Sequence, residues 1–227
     1  PGLTRVNAIS AGDYTAFALR DDGTVWSWGL NNYGQVGVAS TLLPYSSPVR
    51  VKGLSEVVAI AGGGNFGGLA LRSDGTAWSW GNNMQGTLGN ATRTPSGVPV
   101  QVYGLTAVTA IGAGTLDGYA IVGRAVWGWG RNDFAQLANA TGADSDVPVR
   151  AGTLAGIVAA AGGAFNGYAL RNDGSVFSWG DNGLGEIGNG TTSAAVATPT
   201  FALLPRIVAI AAGGTSAYAI EPVVPVV

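Results

Sequence analysis

Short apolar segments separated by glycine-rich polar segments run along the whole chain. In one stretch, VVAIAGG (residues 57–63) and GGLALR (67–72) are apolar or alternate in polarity, and both are too short for a helix. TAWSW (76–80) follows Ser-Asp-Gly, and Asp-Gly is a strong signal for a tight hairpin turn. VPVQV (98–102) comes after a long polar loop, and its early proline suits the outer edge of a sheet. The pattern predicts a four-stranded antiparallel meander.

This meander recurs along the chain about every 50 residues. Its Trp-Gly pair begins at Trp28, Trp80, Trp129 and Trp179, and its opening apolar strand occurs a fifth time near the C-terminal end. Repeated four-stranded units of this length are typical of β-propeller blades. The sequence therefore predicts an all-β fold, a β-propeller with four full units and a half unit over residues 1–220. A Pro/Val tail or linker follows at 221–227.

The repeat predicts the completeness of the ring and the burial of its tryptophans. Four and a half units predict an incomplete or atypical ring, because the outer strands of the last unit are missing from the pattern. The four tryptophans of the Trp-Gly pairs are predicted to be buried, since each occupies the same position of its unit. Small alanines on the first strands suit the crowded axis of a propeller, and large tryptophans suit the wider space further out.

The segment VVAIAGGGNFGGLALRSDGTAWSWGNNMQG resembles the repeat of the regulator of chromosome condensation family. Gly34-Gln35-Val36-Gly37 is also close to the Gly-Gln-Leu-Gly signature of that family, from which the other units depart. The resemblance covers essentially all of the chain and implies a β-propeller, and we expect a bacterial member. Members of the family include exchange factors for a small GTPase, a plant ultraviolet photoreceptor and an inhibitor that caps β-lactamase. The resemblance alone therefore implies no single function.

Composition limits the chemistry that the chain can support. Charged residues make up 11% of it, the net charge is -2, and basic residues stand singly, which disfavours nucleic acid as a partner. No apolar run approaches the roughly 18 residues of a membrane span. The sequence has no His and no Cys, so catalysis would depend on only 13 carboxyl side chains. We expect a protein that is not an enzyme and has no cofactor and no dedicated metal site.

Three Asn-x-Thr triplets begin at Asn90, Asn139 and Asn189. They would be glycosylation acceptors if the chain passed through a eukaryotic secretory route. All three occupy the same position of the repeat, however, and this favours a shared turn.

The connections between strands of a meander divide between two ends of the blade. We call the ends that carry the Asp-Gly turns the hairpin face. Charged residues such as Arg72 and Asp74 lie there. We call the opposite ends the loop face. Aromatic, Asn and Met side chains lie there, and such side chains are common in binding surfaces. We therefore predict that a protein partner binds the loop face. The predicted contact residues are Tyr14, Asn32, Tyr33, Asn65, Phe66, Asn83, Met84, Asp117, Phe134, Phe165 and Asn166.

The main functional hypothesis is a non-catalytic interaction propeller that is secreted or held at the cell surface. A second hypothesis is a structural module of a larger extracellular chain that self-associates through open blade edges. A guanine nucleotide exchange factor is less well supported, because such a role calls for basic patches and Lys plus Arg total only 11.

Overall fold

The structure is a computed structural model that describes residues 2–40 and 44–223. Within these ranges the chain forms antiparallel sheets, four of them with four strands and one with two strands. No helix in the described ranges is both long and apolar enough to cross a lipid bilayer. The all-β propeller fold predicted from the sequence is confirmed. Residues 224–227 of the predicted tail lie outside the described part.

Each four-stranded sheet is one blade, with strands in simple chain order from the centre outward. Blade 1 comprises β1 (Val6–Ala11), β2 (Thr15–Arg20), β3 (Val25–Gly29) and β4 (Tyr45–Arg50). Blade 2 comprises β5 (Val57–Gly63), β6 (Gly67–Arg72), β7 (Ala77–Gly81) and β8 (Ser96–Gln101). Blade 3 comprises β9 (Val108–Ala113), β10 (Asp117–Val122), β11 (Ala125–Gly130) and β12 (Ser145–Arg150). Blade 4 comprises β13 (Ile157–Gly162), β14 (Asn166–Arg171), β15 (Val176–Asn182) and β16 (Ser193–Phe201), and the half blade comprises β17 (Ala209–Gly213) and β18 (Ser216–Ile220).

The Asp-Gly turns close the hairpins between second and third strands, as predicted. In blade 2, Asp74 Oδ1 accepts hydrogen bonds from the Thr76 amide at 3.0 Å and the Thr76 hydroxyl at 2.6 Å. These bonds hold the pKa of the Asp74 carboxyl below its usual range. Gly75 has a φ of 79°, a left-handed conformation that glycine adopts without a steric penalty. Turn chemistry encoded in three residues therefore fixes where the hairpins of blades 1, 2 and 4 reverse, whereas blade 3 turns at Gly123-Arg124.

The core lies between successive blades, because side chains alternate between the two faces of each sheet. Leu69 and Leu71 of β6 point towards blade 3 and are buried there with Trp129. Ala70 points the other way and is buried with Phe17 of blade 1. Phe17 on one sheet thus meets the small Ala70 on the next, as in a close-packed layer between blades.

Three of the four Trp-Gly tryptophans are completely buried: Trp80, Trp129 and Trp179. Each lies against a glycine of the neighbouring strand in its own blade, and a Cβ at that glycine would overlap the indole. Trp28 is instead only partly buried, since none of the described sheets packs on that side of blade 1. The predicted burial therefore holds for the tryptophans that have a blade on each side.

The ends of the first strands of all five sheets, with the turns that follow them, line one central opening of about 210 Å³. The two terminal sheets have uncovered faces. Tyr218 of β18 is 66% exposed, whereas Tyr119 at the same position of blade 3 has no exposed surface. Ile9 of blade 1 is 79% exposed, whereas the corresponding Ile60 is partly buried. The described chain is therefore an arc of four full blades and a half blade.

Candidate partner-binding face

The loop face consists of two kinds of connection. Short turns join the first strand of each blade to the second, and long loops join the third strand to the fourth. The two kinds meet in every full blade. The carbonyl oxygen of Tyr14 accepts a hydrogen bond from the Leu30 amide at 2.9 Å, and that of Leu116 accepts one from the Arg131 amide at 2.9 Å. Short turns and long loops thus form one continuous surface.

An asparagine three residues after each Trp organises the long loop. In blade 2, Asn83 Oδ1 accepts a hydrogen bond from the Leu88 amide at 2.9 Å, and Nδ2 donates to the carbonyl oxygens of Thr92 at 2.9 Å and Thr94 at 3.0 Å. Both ends of the loop are therefore tied to one side chain. The asparagines that make the same bond to the amide five residues later are Asn31, Asn132 and Asn182.

The Asn-x-Thr triplets share one local turn, as their aligned positions indicate. Asn139 Oδ1 accepts hydrogen bonds from the Thr141 hydroxyl at 2.9 Å and the Thr141 amide at 3.2 Å. Asn189 and Thr191 repeat both bonds, at 2.8 Å and 3.1 Å. The triplets thus have a structural role in the loops.

Four of the predicted contact residues are buried and cannot touch a partner directly: Phe66, Asn83, Asp117 and Asn166. Phe66 folds inward because its turn contains Gly63, where any Cβ would overlap the Phe66 ring. Asn166 Nδ2 donates to the carbonyl oxygen of Asp181, and this bond secures the end of blade 4. For these four residues the prediction of a contact role is wrong. The polar or aromatic side chain serves the fold instead.

Asp117 differs from the other three because its carboxyl group is buried without a hydrogen-bond partner among the described residues. Burial raises the pKa of this carboxyl well above its usual value. Two other blades carry a donor at the same position. Thr15 donates its hydroxyl to the Leu30 carbonyl oxygen at 3.1 Å, and Asn166 makes the equivalent bond.

Five predicted residues are exposed on the loop face: Tyr14, Asn32, Tyr33, Asn65 and Met84. They belong to blades 1 and 2. No aromatic ring contact joins Tyr14 to Tyr33 among the described residues. The sequence hypothesis of one apolar patch that includes all the loop aromatics is therefore too broad.

Phe134 and Phe165 do come together, although 31 positions separate them in the sequence. Their ring centroids are 4.8 Å apart, and the Arg131 guanidinium lies 5.1 Å from the Phe165 centroid and 5.7 Å from that of Phe134. Asp133 accepts a hydrogen bond from Arg131 at 2.5 Å. All three clustered side chains are partly exposed. We call Arg131, Phe134 and Phe165 the aromatic–arginine cluster.

The predicted set omitted two residues of this region, the partly exposed Arg131 and the exposed Leu184. Leu184 is 85% exposed and occupies the position of the repeat that Tyr33 and Phe134 hold in other blades. Alignment of the long loops is the signal that identifies it. Among the described residues, no group of three or more His, Cys, Asp or Glu is placed to hold a metal ion.

Two solved structures closely resemble this arc. Human WBSCR16 superposes with a TM-score of 0.85 at 25% identity, over 96% of this chain and 58% of that one. Prp20p from Saccharomyces cerevisiae superposes with a TM-score of 0.81 at 21% identity, over 94% of this chain and 56% of that one. This chain thus spans little more than half of either structure.

Sequence comparisons agree with the fold. The human protein named Probable E3 ubiquitin-protein ligase HERC6 is 36% identical over 98 residues, which is 43% of this chain and 9% of HERC6. The family model for the Regulator of chromosome condensation (RCC1) repeat matches residues 22–69, 74–115, 125–170 and 173–220, and a second model for the same repeat matches 6–35 and 157–186. These matches cover more than half of the chain, which therefore belongs to the Regulator of chromosome condensation (RCC1) repeat family.

Proposed function

We propose that this chain is a non-catalytic propeller module that binds a protein partner through the loop face, with the aromatic–arginine cluster at the centre of the contact. One observation carries the proposal. Arg131, Phe134 and Phe165 come from two blades, contact one another and remain partly exposed. Aromatic and arginine side chains supply most of the binding energy in protein interfaces.

The cluster is held in place before any partner arrives. Asp133 fixes the Arg131 guanidinium, and Gln136 fixes the loop because its side-chain oxygen accepts a hydrogen bond from the Phe134 amide at 2.9 Å. A preorganised contact loses less conformational entropy on binding than a mobile one. The exposed Leu184 and Met84 on neighbouring loops would extend the apolar contact around this centre.

The comparisons support a protein partner without identifying it. The crystal structure of Prp20p is described together with binding to Gsp1p and histones, so an RCC1-type propeller can present protein-binding surfaces. This chain matches only 9% of HERC6, so the similarity gives no reason to expect ligase activity in this chain. The hairpin face is a poorer candidate, because its turns present charged residues such as Arg72 and Asp74, and exposed ion pairs contribute little energy.

The proposal is tested by site-specific photo-crosslinking in an extract of the native source. A photoreactive phenylalanine analogue replaces Leu184 or Met84 on the loop face, or Asp21 on the hairpin face as the control. We expect a discrete crosslinked protein from the loop-face positions only. The affinity of that isolated protein should then fall strongly with Phe165→Ala or Arg131→Ala and change little with Arg72→Ala. Crosslinking from Asp21 alone would contradict the proposal.

A further inference from the structure

The outer strand of blade 4 ends in an exposed phenylalanine where the other full blades have a polar residue. Phe201, the last residue of β16, is 53% exposed and lies across the antiparallel ladder from Phe177 of β15. The residues at the same position of blades 1, 2 and 3 are Arg50, Gln101 and Arg150, which lie across from Trp26, Trp78 and Trp127. The blade therefore does not require an apolar side chain at this position, and Phe201 is free to serve another role.

The exposed ring belongs to a second group of aromatic and arginine side chains. The Phe177 and Phe201 ring centroids are 4.3 Å apart. The Arg171 guanidinium lies 5.2 Å from the Phe177 centroid and 5.6 Å from that of Phe201, within the range of a cation–π contact. Asp173 accepts a hydrogen bond from Arg171 Nε at 2.8 Å and so holds the guanidinium in place. We call Arg171, Phe177 and Phe201 the outer cluster.

The hairpin turn of blade 3 places another arginine on this side of the molecule. Arg124 has a φ of 63°, in the left-handed region that residues other than glycine rarely adopt. Its carbonyl oxygen accepts a hydrogen bond from the amide that leads into the next sheet. The residues that make this bond in the other full blades are all glycines with a positive φ, namely Gly23, Gly75 and Gly174. An arginine that takes the place of glycine at backbone cost indicates a use for its side chain outside the fold.

Arg124 and the outer cluster lie beside the same connection, residues 151–156, which joins blade 3 to blade 4. The Arg124 carbonyl oxygen accepts its hydrogen bond from the Ile157 amide at 3.0 Å. Gly156, the residue before Ile157, lies against Arg171, because a Cβ at Gly156 would be 3.2 Å from Arg171 Cγ. The connection has the sequence AGTLAG and carries no charge. No acidic side chain of this connection therefore neutralises either arginine.

The unpaired charges around the outer cluster are positive. Arg171 is paired with Asp173, whereas Arg124 and Arg206 are exposed and form no ion pair within the part of the chain that the structure describes. Arg206 lies beside the blade 4 turn, since a Cβ at Gly174 would be 2.5 Å from its Cγ. The blade 3 turn has no aspartate to balance Arg124. A ligand at this end would therefore meet positive charge next to an exposed aromatic ring.

We propose that the outer cluster, together with Arg124 and Arg206, binds an acidic segment of a partner protein that packs one aromatic side chain against Phe201. Phenylalanine and arginine are enriched in protein interfaces. Arginine forms paired hydrogen bonds with carboxylates, and complementary charge guides the approach of a partner. The outer cluster lies at the hairpin ends of blades 3 and 4, opposite the loop face. Its role is therefore independent of the function proposed for the loop face.

The test measures the binding of three fluorescein-labelled peptides, EEFEE, EESEE and KKFKK, to the full chain by fluorescence anisotropy. Two variants copy the residues that blade 2 has at the same positions, so that the fold accommodates them. Arg124→Gly copies Gly75, and Phe201→Gln copies Gln101. Arg50→Gln is the matched control, because it removes an exposed arginine at the Phe201 position of blade 1. Thermal unfolding verifies that each variant is folded.

We expect saturable binding of EEFEE that weakens about fivefold or more with Phe201→Gln, about threefold or more with Arg124→Gly, and less than about twofold with Arg50→Gln. Binding should also weaken as the NaCl concentration rises, because exposed charges are screened by salt. EESEE should bind about fivefold or more weakly than EEFEE, because it lacks the aromatic anchor. KKFKK should show no saturable binding.

Absence of saturable EEFEE binding, equal binding of KKFKK or an equal loss with Arg50→Gln would overturn the proposal. Phe165→Ala on the loop face should leave EEFEE binding unchanged, and a loss there would place the peptide on the other face and also overturn it. Light scattering is run alongside. Self-association of the free protein that Phe201→Gln abolishes would show that a second copy is the occupant, contrary to the proposal.

Discussion

The indole Nε1 of Trp80 donates a 2.9 Å hydrogen bond to the backbone carbonyl oxygen of Gln35, which lies in the preceding blade. The same ring makes an edge-to-face contact with Phe17, at 5.8 Å between centroids. One side chain therefore supplies both polar and apolar contacts between two sheets that share no strand. Trp129 and Trp179 repeat the polar bond in the next two interfaces.

Replacement of Trp80 by alanine should lower the free energy of unfolding by about 3–5 kcal/mol, the usual loss for a large buried aromatic residue. Trp28→Ala is the matched control, since Trp28 has the same position in blade 1 but is only partly buried. We expect a clearly smaller loss there. Urea denaturation followed by circular dichroism compares the two variants. Equal losses would show that contacts within a blade, and not contacts between blades, account for the role of the tryptophan.

Asp117→Asn should stabilise the protein at neutral pH. The pKa of the buried carboxyl is raised, so its stabilising contribution is complete below the unfolded pKa of about 3.9 and is lost as the pH rises through the folded pKa. Asparagine does not ionise and, as Asn166 shows, can donate a bond at this position. We expect a gain of about 1–3 kcal/mol at pH 7, the usual cost of an unsatisfied buried polar group.

The gain from Asp117→Asn should shrink towards pH 3.5, where the wild-type carboxyl is protonated in the folded state and largely protonated in the unfolded state. Thermal unfolding of both proteins across this pH range provides the test. A stability difference that stays constant with pH would show that Asp117 does not titrate between the folded and unfolded states.

Asn83→Ala should destabilise the protein by about 1–3 kcal/mol, because the amides and carbonyls that Asn83 satisfies would lose their partner inside the loop. Asn65→Ala is the control on the same face, at an exposed position. The control should change stability by no more than about 0.5 kcal/mol. Chemical denaturation measures both, and amide exchange at Leu88 should accelerate in the Asn83 variant only.

Phe66→Ala and Tyr14→Ala form a matched pair, since both aromatics occupy the same position of the turn between first and second strands. Phe66 has no exposed surface, whereas Tyr14 is 61% exposed. We expect a loss of about 3–5 kcal/mol for Phe66 and about 0.5 kcal/mol or less for Tyr14. If differential scanning calorimetry showed no loss of stability in the Phe66 variant, Phe66 would not be a core residue and could contact a partner.

The fold was predictable because it depends on signals that repeat. Asp74-Gly75 fixes a hairpin by local turn chemistry. Recurrence of the Trp-Gly pair gives the blade period. Location outside the cell and a bacterial origin remain predictions from composition and resemblance.

The candidate site was predictable only in part, because whether a loop aromatic turns inward depends on residues elsewhere. Phe66 is buried since Gly63 leaves space for its ring, and Phe165 stays at the surface beside Arg131, which belongs to another blade. Strand order was enough to predict which residues lie on the loop face. The contact between Phe134 and Phe165, however, results from packing of blades 3 and 4.

In the described arc, the faces that carry Ile9 and Tyr218 are uncovered, so the arc has two outermost sheets. Inner sheets are coupled to a neighbour on each side, whereas the outermost sheets are coupled to only one. A linear array with nearest-neighbour coupling opens from its ends, and its midpoint opens last. Protection of backbone amides against exchange with heavy water should therefore rise from β18 and β2 towards β10 and β11, so that local opening is graded along the arc.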